Sequence, residues 1–342
     1  MQYARLGNTG LIVSRLAFGA MTFGAGTAAA NAFYKVSQNA ADLLVGRSLD
    51  AGINHFNTAD IYADGQSEIM LGKALGDRRH DVVISTKVGN RMGKALNKSG
   101  LSRKNIIAAV DASLKRLNTD YIDIYLAHRV DPYTPVEETV EAFQHLVAQG
   151  KVRYVGFSNW PAWMAAKAVG YQKANGYEPF RAAEMYYSLV GRDLEHELAP
   201  FVADAGIGVL VWSPLAGGFL SGKYTRQDPK GGGGRLSSIN LVPLDLEKGY
   251  GVVDVLKKIA AARSTTPAAI ALAWLQSRPW VASVLIGATG VEQLDQNLAA
   301  ADLVLSAEDV SALDKVSAVA PPYPNWFMER FADRDAPKAL GA

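Results

Sequence analysis

Eight short apolar runs, each followed by a longer stretch with apolar residues at three-and-four spacing, predict an α/β chain closed into a (β/α)8 TIM barrel. Two further observations support closure. The runs are apolar almost throughout rather than alternating, as expected of parallel strands buried on both faces. An open doubly wound sheet that binds a dinucleotide needs a Gly-rich turn directly after its first strand. Here the first strand runs instead into the irregular "GAMTFGAGTAAANAFYKVSQNA". The open sheet is the alternative architecture.

The chain opens with "YARLGNTGLIVS", two short segments around a turn-type "GNTG", read as an N-terminal β-hairpin over one end of the barrel. The strands in order are "RLAFGA", "HFNTAD", "VVISTKVG", "IDIYLAH", "VRYVGFSN", "RAAEMYYS", "GVLVWSPL" and "VASVLIGA". Between them lie crossover helices such as "NAADLLVGRSLDAG", "SEIMLGKALG", "KNIIAAVDASLKRLN", "PVEETVEAFQHLVAQG", "PAWMAAKAVGYQKANG" and "VEQLDQNLAA". Several end at Gly, which adopts a left-handed cap without steric cost. Residues 217–242, with "KGGGGR", read as a long flexible loop and a flap over a ligand. Four consecutive glycines can also cradle phosphate; mobility is the simpler reading. A C-terminal segment, residues 318–342, is expected to fold over the barrel mouth. Nothing splits the chain, so residues 1–342 are read as one domain.

Composition excludes several functions. The chain has 342 residues, 49% hydrophobic and 20% charged, with a net charge of +2. Its Lys and Arg are not clustered, so no field draws in nucleic acid or an acidic membrane. There are no cysteines, which rules out disulfides, thiolate metal sites and a thiol nucleophile and agrees with a cytoplasmic location. No basic leader precedes an unbroken apolar stretch, and no run of eighteen apolar residues occurs. A soluble monomer or weak homo-oligomer acting on a small molecule is expected.

In such a barrel the carboxyl ends of the strands share one pocket, so polar residues there are the candidates for chemistry. The second strand delivers Asn57 and then Tyr62, the third Lys87 and the fourth His128. Singly, each has a structural explanation: a packing aromatic, a snorkelling lysine, a satisfied core histidine. Together, at three successive strand ends, they suit proton transfer to a carbonyl oxygen. An ammonium beside a phenol favours the phenolate, and an imidazole can hydrogen-bond the same oxygen. The five histidines are scattered singly, which disfavours a zinc hydrolase and leaves no metal expected. No "GxSxG" elbow supports a serine hydrolase.

From residue 3 to about 327 the chain resembles the aldo-keto reductase family. The ordered motifs are "LGNTGLIVSRLAFGAMTFG", "GINHFNTADIY", "GQSEIMLGKALG", "VISTKVG", "YIDIYLAHRVDP", "GFSN", "YSLVGR", "WSPLAGGFLSGKY" and "IGATGVEQLDQNLAA". The resemblance implies reversible reduction of an aldehyde or ketone to an alcohol by a nicotinamide cofactor lying across the barrel mouth. It implies Tyr62 as proton donor, Lys87 as its activator and His128 as the group orienting the carbonyl. It places Ser158, Asn159 and position 184 on the nicotinamide carboxamide, and Trp212 against the nicotinamide ring. Gly19 and Met21 join these cofactor contacts. Ser213, Leu215, Gly217, Gly222 and Lys223 would wrap the pyrophosphate. Gly287, Thr289, Gln293, Gln296 and Asn297 would meet the adenosine end. NADPH is the cofactor implied, with NADH as the alternative because neither Thr289 nor Gln293 is basic. Met21, Phe23, Tyr62, His128 and Trp160 are expected as walls of an apolar substrate pocket.

Two positions depart from the family's pattern. Asn57 stands where most members have an Asp paired with the lysine, and Glu184 where they usually have Gln. An ion pair near 4 Å is worth roughly 4 kcal/mol at an effective dielectric of about 20, before desolvation. Asn57 can accept from Lys87 without compensating its charge. Lys87 is therefore expected to act uncompensated on Tyr62 or to lose its proton, altering the pH profile; Asp60 is a possible substitute acid, and simple packing by Asn57 the plainer alternative. A nicotinamide-binding regulatory or auxiliary subunit with weak turnover is the second functional reading, because fold alone does not separate it from an enzyme. A phosphate-substrate lyase is a third, but it leaves Ser158, Asn159 and Trp212 without work.

Overall fold

The computed structural model describes residues 1–24, 34–229, 231, 236 and 242–341. Two short strands, β1 (Tyr3–Arg5) and β2 (Ile12–Ser14), pair antiparallel as the expected hairpin. The barrel strands are β3 (Leu16–Gly19), β4 (His55–Asn57), β5 (Val83–Val88), β6 (Ile122–Ala127), β7 (Val152–Ser158), β8 (Ala182–Tyr186), β9 (Gly208–Trp212) and β10 (Val281–Ile286). All neighbours are parallel, and β10 closes on β3. Around them lie α1 (Gln38–Asp50), α2 (Gln66–Leu75), α3 (Arg103–Leu117), α4 (Val136–Ala148), α5 (Ala162–Ala174) and α6 (Leu198–Ala205). After β9 come α7 (Leu246–Ala262) and α8 (Pro267–Gln276), then α9 (Val291–Leu298) and α10 (Ala307–Ser317) after β10. Two short C-terminal helices follow, α11 (Asn325–Arg330) and α12 (Asp335–Leu340).

Side chains two apart on a strand share a face, so each barrel strand sorts its residues between inside and outside. On β6, Tyr125 and Ala127 join the large cluster between barrel and helices, while Ile124 and Leu126 belong to a second cluster in the interior. That inner cluster also contains Val83, Ala182, Leu210 and Ala282, and the hairpin's Leu6 and Val13 close it. The hairpin fits tightly because its turn needs a glycine. Gly7 has φ +56°, and a Cβ there would lie 2.2 Å from the Gly206 carbonyl oxygen.

The same parity continues towards the carboxyl ends. His55 and Asn57 on β4, Ser85 and Lys87 on β5, Ser158 on β7 and Glu184 on β8 fall on the inward register, two residues at a time from the apolar floor. Strand β4 is shorter than expected and stops at Asn57, so Tyr62 is delivered by a short helical turn, Tyr62–Gly65. The segment after β9 begins with the 3-10 turn Ala216–Ser221, whose Phe219 and Leu220 are buried with Tyr224. Residues 230, 232–235 and 237–241 of the Gly-rich stretch lie outside the described residues. Among the described residues, no helix is long and apolar enough to cross a membrane.

Candidate active site

Lys87 organises the barrel mouth. Its side chain is fully buried, and its ammonium reaches Asn57 Oδ1 at 2.9 Å, the Thr58 carbonyl at 2.9 Å, Glu184 Oε1 at 3.1 Å and the Tyr62 hydroxyl at 3.3 Å. An ammonium has three N–H groups, so these oxygens share them and the Tyr62 contact is the longest. The lysine is thus paired with an acid, and the expected uncompensated charge is not found. The compensating group is not Asp60, which is buried with Oδ1 unbonded among the described residues and is pushed up to about 7 by desolvation and the nearby Glu68 carboxylate. It is Glu184, reached from the other side of the barrel.

Asn57 links the pair. Its Nδ2 donates to Glu184 Oε2 at 2.7 Å and to Ser85 Oγ at 2.8 Å, while its Oδ1 accepts from Lys87. Ser85 Oγ lies 2.8 Å from His55 Nε2. The Ser85 hydroxyl can accept from both Asn57 and His55 or donate to the imidazole, so it ties His55 to the network in either tautomer. Desolvation, with the charge of Lys87, pushes His55 down to about 3, so it stays neutral.

The phenol and the imidazole are set as neutral groups. Burial lowers Lys87, but the charge and hydrogen bonding of Glu184 and Tyr62 outweigh it, and the lysine titrates above its usual range. Burial raises Tyr62; Lys87 opposes this and the Glu184 carboxylate reinforces it, leaving the phenol above its ordinary value. Tyr62 therefore keeps its proton through the neutral range, as a proton donor must. His128 is held well below the usual histidine value by burial, then by Lys87 and Arg129. Its ring lies edge-on to Tyr62 with centroids 5.9 Å apart.

Two residues outside the expected set fix the His128 tautomer. Arg129 Nε donates to Asn90 Oδ1 at 3.0 Å, which orients the Asn90 amide. Its Nδ2 then faces His128 Nδ1 at 2.9 Å. Nδ1 must accept, so the ring proton sits on Nε2. The sequence signal was available, because Asn90 follows the end of β5 and Arg129 follows His128, but no pattern tied them together.

The remaining expected residues lie at the mouth in different states. Ser158 is buried and its Oγ accepts from Asn159 Nδ2 at 2.9 Å. Asn159 has φ +56°, also donates to the His128 carbonyl at 3.1 Å, and accepts from Trp212 Nε1 at 3.0 Å. That bond, with Tyr186 at 5.2 Å between centroids, holds the half-buried indole of Trp212 in one orientation. Gly19 ends β3 and Met21 lies half-buried in the turn Ala20–Thr22. Ser213 has φ +51° and its Oγ accepts from the Gly217 amide at 3.2 Å. The amides of Gly218 and Leu220 bond to the Leu215 carbonyl and that of Gly222 to Phe219, so much of this segment's backbone is engaged in its own turns. Gly217 and Gly222 are left-handed, at φ +68° and +80°, and the Lys223 ammonium sits 5.1 Å from the Tyr224 ring centroid. Further round, Gln293 Oε1 accepts from the Thr289 amide and hydroxyl, Asn297 Nδ2 donates to the Gly287 carbonyl, and Gln296 is exposed on α9.

Two pocket-wall expectations fail. Phe23 is fully buried against Phe18, and Trp160 is 3% exposed against Phe157 and Phe180, so both belong to the layer between barrel and helices. Backbone strain, by contrast, does mark the mouth. Of the seven described non-glycine residues with positive φ, Ala63, Asp64, Asn159, Ser213 and Ala216 follow the carboxyl ends of barrel strands.

A closed parallel barrel with a buried Lys beside a neutral Tyr and a neutral His at its carboxyl end defines an oxidoreductase-type site rather than a hydrolytic one. The chain belongs to the aldo/keto reductase family, whose model matches residues 15–318. It is 36% identical to a probable voltage-gated potassium channel subunit beta of Arabidopsis thaliana, over 93% of this chain and 96% of that protein. It is 35% identical to an uncharacterized oxidoreductase of Bacillus subtilis, over 92% and 96% of the two chains. It is 32% identical to a versiconal hemiacetal acetate reductase of Aspergillus parasiticus, over 92% and 96%.

Proposed function

We propose that this chain reduces an aldehyde or ketone to an alcohol, reversibly, with NADPH as the reductant and NADH as a weaker substitute. The observation that carries the reading is the hydrogen-bonded approach of Lys87 Nζ to the Tyr62 hydroxyl at 3.3 Å, with the neutral His128 ring beside it. When bound, the reduced nicotinamide supplies the hydride. The residues present suit its nicotinamide end: a fixed indole face at Trp212, the Ser158 hydroxyl and the Asn159 amide are gathered there by mutual hydrogen bonds. His128 Nε2–H orients the carbonyl oxygen and polarises it. Tyr62 gives its proton to that oxygen, and Lys87 stabilises the phenolate left behind. In the oxidative direction the same phenolate takes the alcohol proton. Burial of Lys87, Ser158 and Glu184 strengthens the electrostatic part of these contacts.

A second reading is favoured by the names of relatives such as the channel subunit of Arabidopsis thaliana. In it the chain binds a nicotinamide nucleotide as an auxiliary subunit with little turnover. The two readings separate in one titration. NADPH or NADH is added while tryptophan fluorescence is followed, and a carbonyl panel is then added while the absorbance of the reduced nicotinamide is followed. Quenching with carbonyl-dependent oxidation supports the reductase. Quenching without oxidation by any carbonyl supports the auxiliary subunit, and no quenching by either nucleotide refutes both.

A further inference from the structure

Lys87 is fully buried, and a buried charge needs an acid in contact. The groups that face the Lys87–Tyr62 pair are His55, Asp60 and Tyr34 from the first two barrel units, His128 and Arg129 from the end of β6, and Glu184 from β8. Of the acids, only Glu184 touches the ammonium among the described residues, and its side chain is 3% exposed. We infer that Glu184 is the counter-ion that keeps Lys87 charged and positioned for Tyr62, and that Asn57 serves as the bridge between the two charges. The inference rests on Tyr62 being the proton donor only for its effect on turnover.

The residue type at 57 follows from its two partners. Lys87 only donates and an ionised Glu184 only accepts, so the bridging side chain must accept on one side and donate on the other. An amide does both, and it does so in one orientation: Oδ1 to Lys87 and Nδ2 to Glu184. A carboxylate at 57 would put a second acid oxygen about where Nδ2 lies, 2.7 Å from Glu184 Oε2. Two carboxylates at that separation cannot both be ionised without strong repulsion. Asn57 and Glu184 therefore act as one unit: the acid is supplied from β8, the amide from β4, and the site holds one negative charge against the lysine.

The consequence is a double-mutant cycle with a predicted sign. Glu184→Gln leaves the lysine without an acid, and Asn57→Asp gives it two. The double variant Asn57→Asp/Glu184→Gln restores one acid and one amide in exchanged positions. Each variant and the parent are unfolded in urea at neutral pH, and carbonyl reduction with NADPH is followed from mildly acid to alkaline pH. Each single variant should unfold at lower urea and turn over about 100-fold more slowly, the scale of a lost acid–base contribution. Glu184→Gln should also lose activity at lower pH than the parent, because its lysine gives up a proton more easily. The double variant should regain the parent's urea midpoint and come to within about tenfold of its rate. Should a single variant fail to fold, recovery of a folded double variant gives the same support. Additive losses in the double variant, or a Glu184→Gln protein with the parent's midpoint and alkaline limb, would overturn the assignment. The urea midpoints need no turnover. Rescue of the midpoint with no carbonyl reduced by any of the proteins, the parent included, would support the counter-ion and refute the reductase.

Discussion

The floor and the mouth of the barrel are built on the same inward faces of the same strands, yet they are held together in different ways. At the floor, the apolar side chains of Val83, Ile124, Leu126, Ala182, Leu210 and Ala282 fill the interior under Leu6 and Val13. Two or four residues further along, the same register presents Ser85, Lys87, Glu184 and, from β4, His55 and Asn57. Burial alone stabilises the floor, at roughly 25 cal/mol per Å² of apolar surface. At the mouth burial is a cost, and only mutual pairing offsets it. Substitutions should therefore separate, with stability alone lost at the floor, chemistry lost at the mouth, and stability lost there too where the Lys87–Glu184 pairing is broken.

The sharpest way to break this contrast is Lys87→Met. It removes the ammonium and leaves Glu184 buried without a cation, so the protein should lose more than about 3 kcal/mol and all carbonyl turnover, read by urea unfolding and by reduced-nicotinamide absorbance. Next comes the floor. Leu126→Ala deletes a fully buried side chain packed at Gly156 and should cost about 2–5 kcal/mol, while the folded protein keeps the parent's rate. A floor substitution that abolished turnover in folded protein would blur the distinction.

Asn90→Ala should be milder. It frees the His128 tautomer without touching the substrate, and kcat should fall about tenfold with little change in the unfolding midpoint. Asp60→Asn should have the smallest effect, and its sign depends on pH. Asp60 is pushed up to about 7 from an unfolded value of 3.8, so the unfolded chain loses this proton more readily. The native state is penalised as pH rises through that window, and the penalty is complete above about 7. Asp60→Asn should thus raise stability by about 1–2 kcal/mol at pH near 8 and change little at pH near 3 or below, where the acid is largely protonated in both states. Urea unfolding at the two pH values measures it.

Most of this architecture was legible in the sequence because apolar runs at strand length and helix-period stretches report burial directly. All eight barrel strands lie within the runs that predicted them. Tyr62, Lys87 and His128 do come together, as their positions at successive strand ends implied. What could not be read was contact across the barrel. Asn57 and Glu184 are separated by 127 positions, and each looked like an isolated oddity until the interior brought them to 2.7 Å. Phe23 and Trp160 misled for a related reason. An aromatic just past a strand end can turn to either layer, and the choice depends on loop geometry that no periodicity encodes.

Tyr62, beside a charged lysine, is the proposed proton donor on which turnover depends. The most direct measurement is a single turnover, in which parent and Tyr62→Phe proteins loaded with NADPH are mixed with a carbonyl reduced by the parent, and loss of reduced-nicotinamide absorbance is timed. The account predicts that both proteins quench alike on binding NADPH, while oxidation in Tyr62→Phe is slower by about 1,000-fold or more. Equal rates in the two proteins would contradict it.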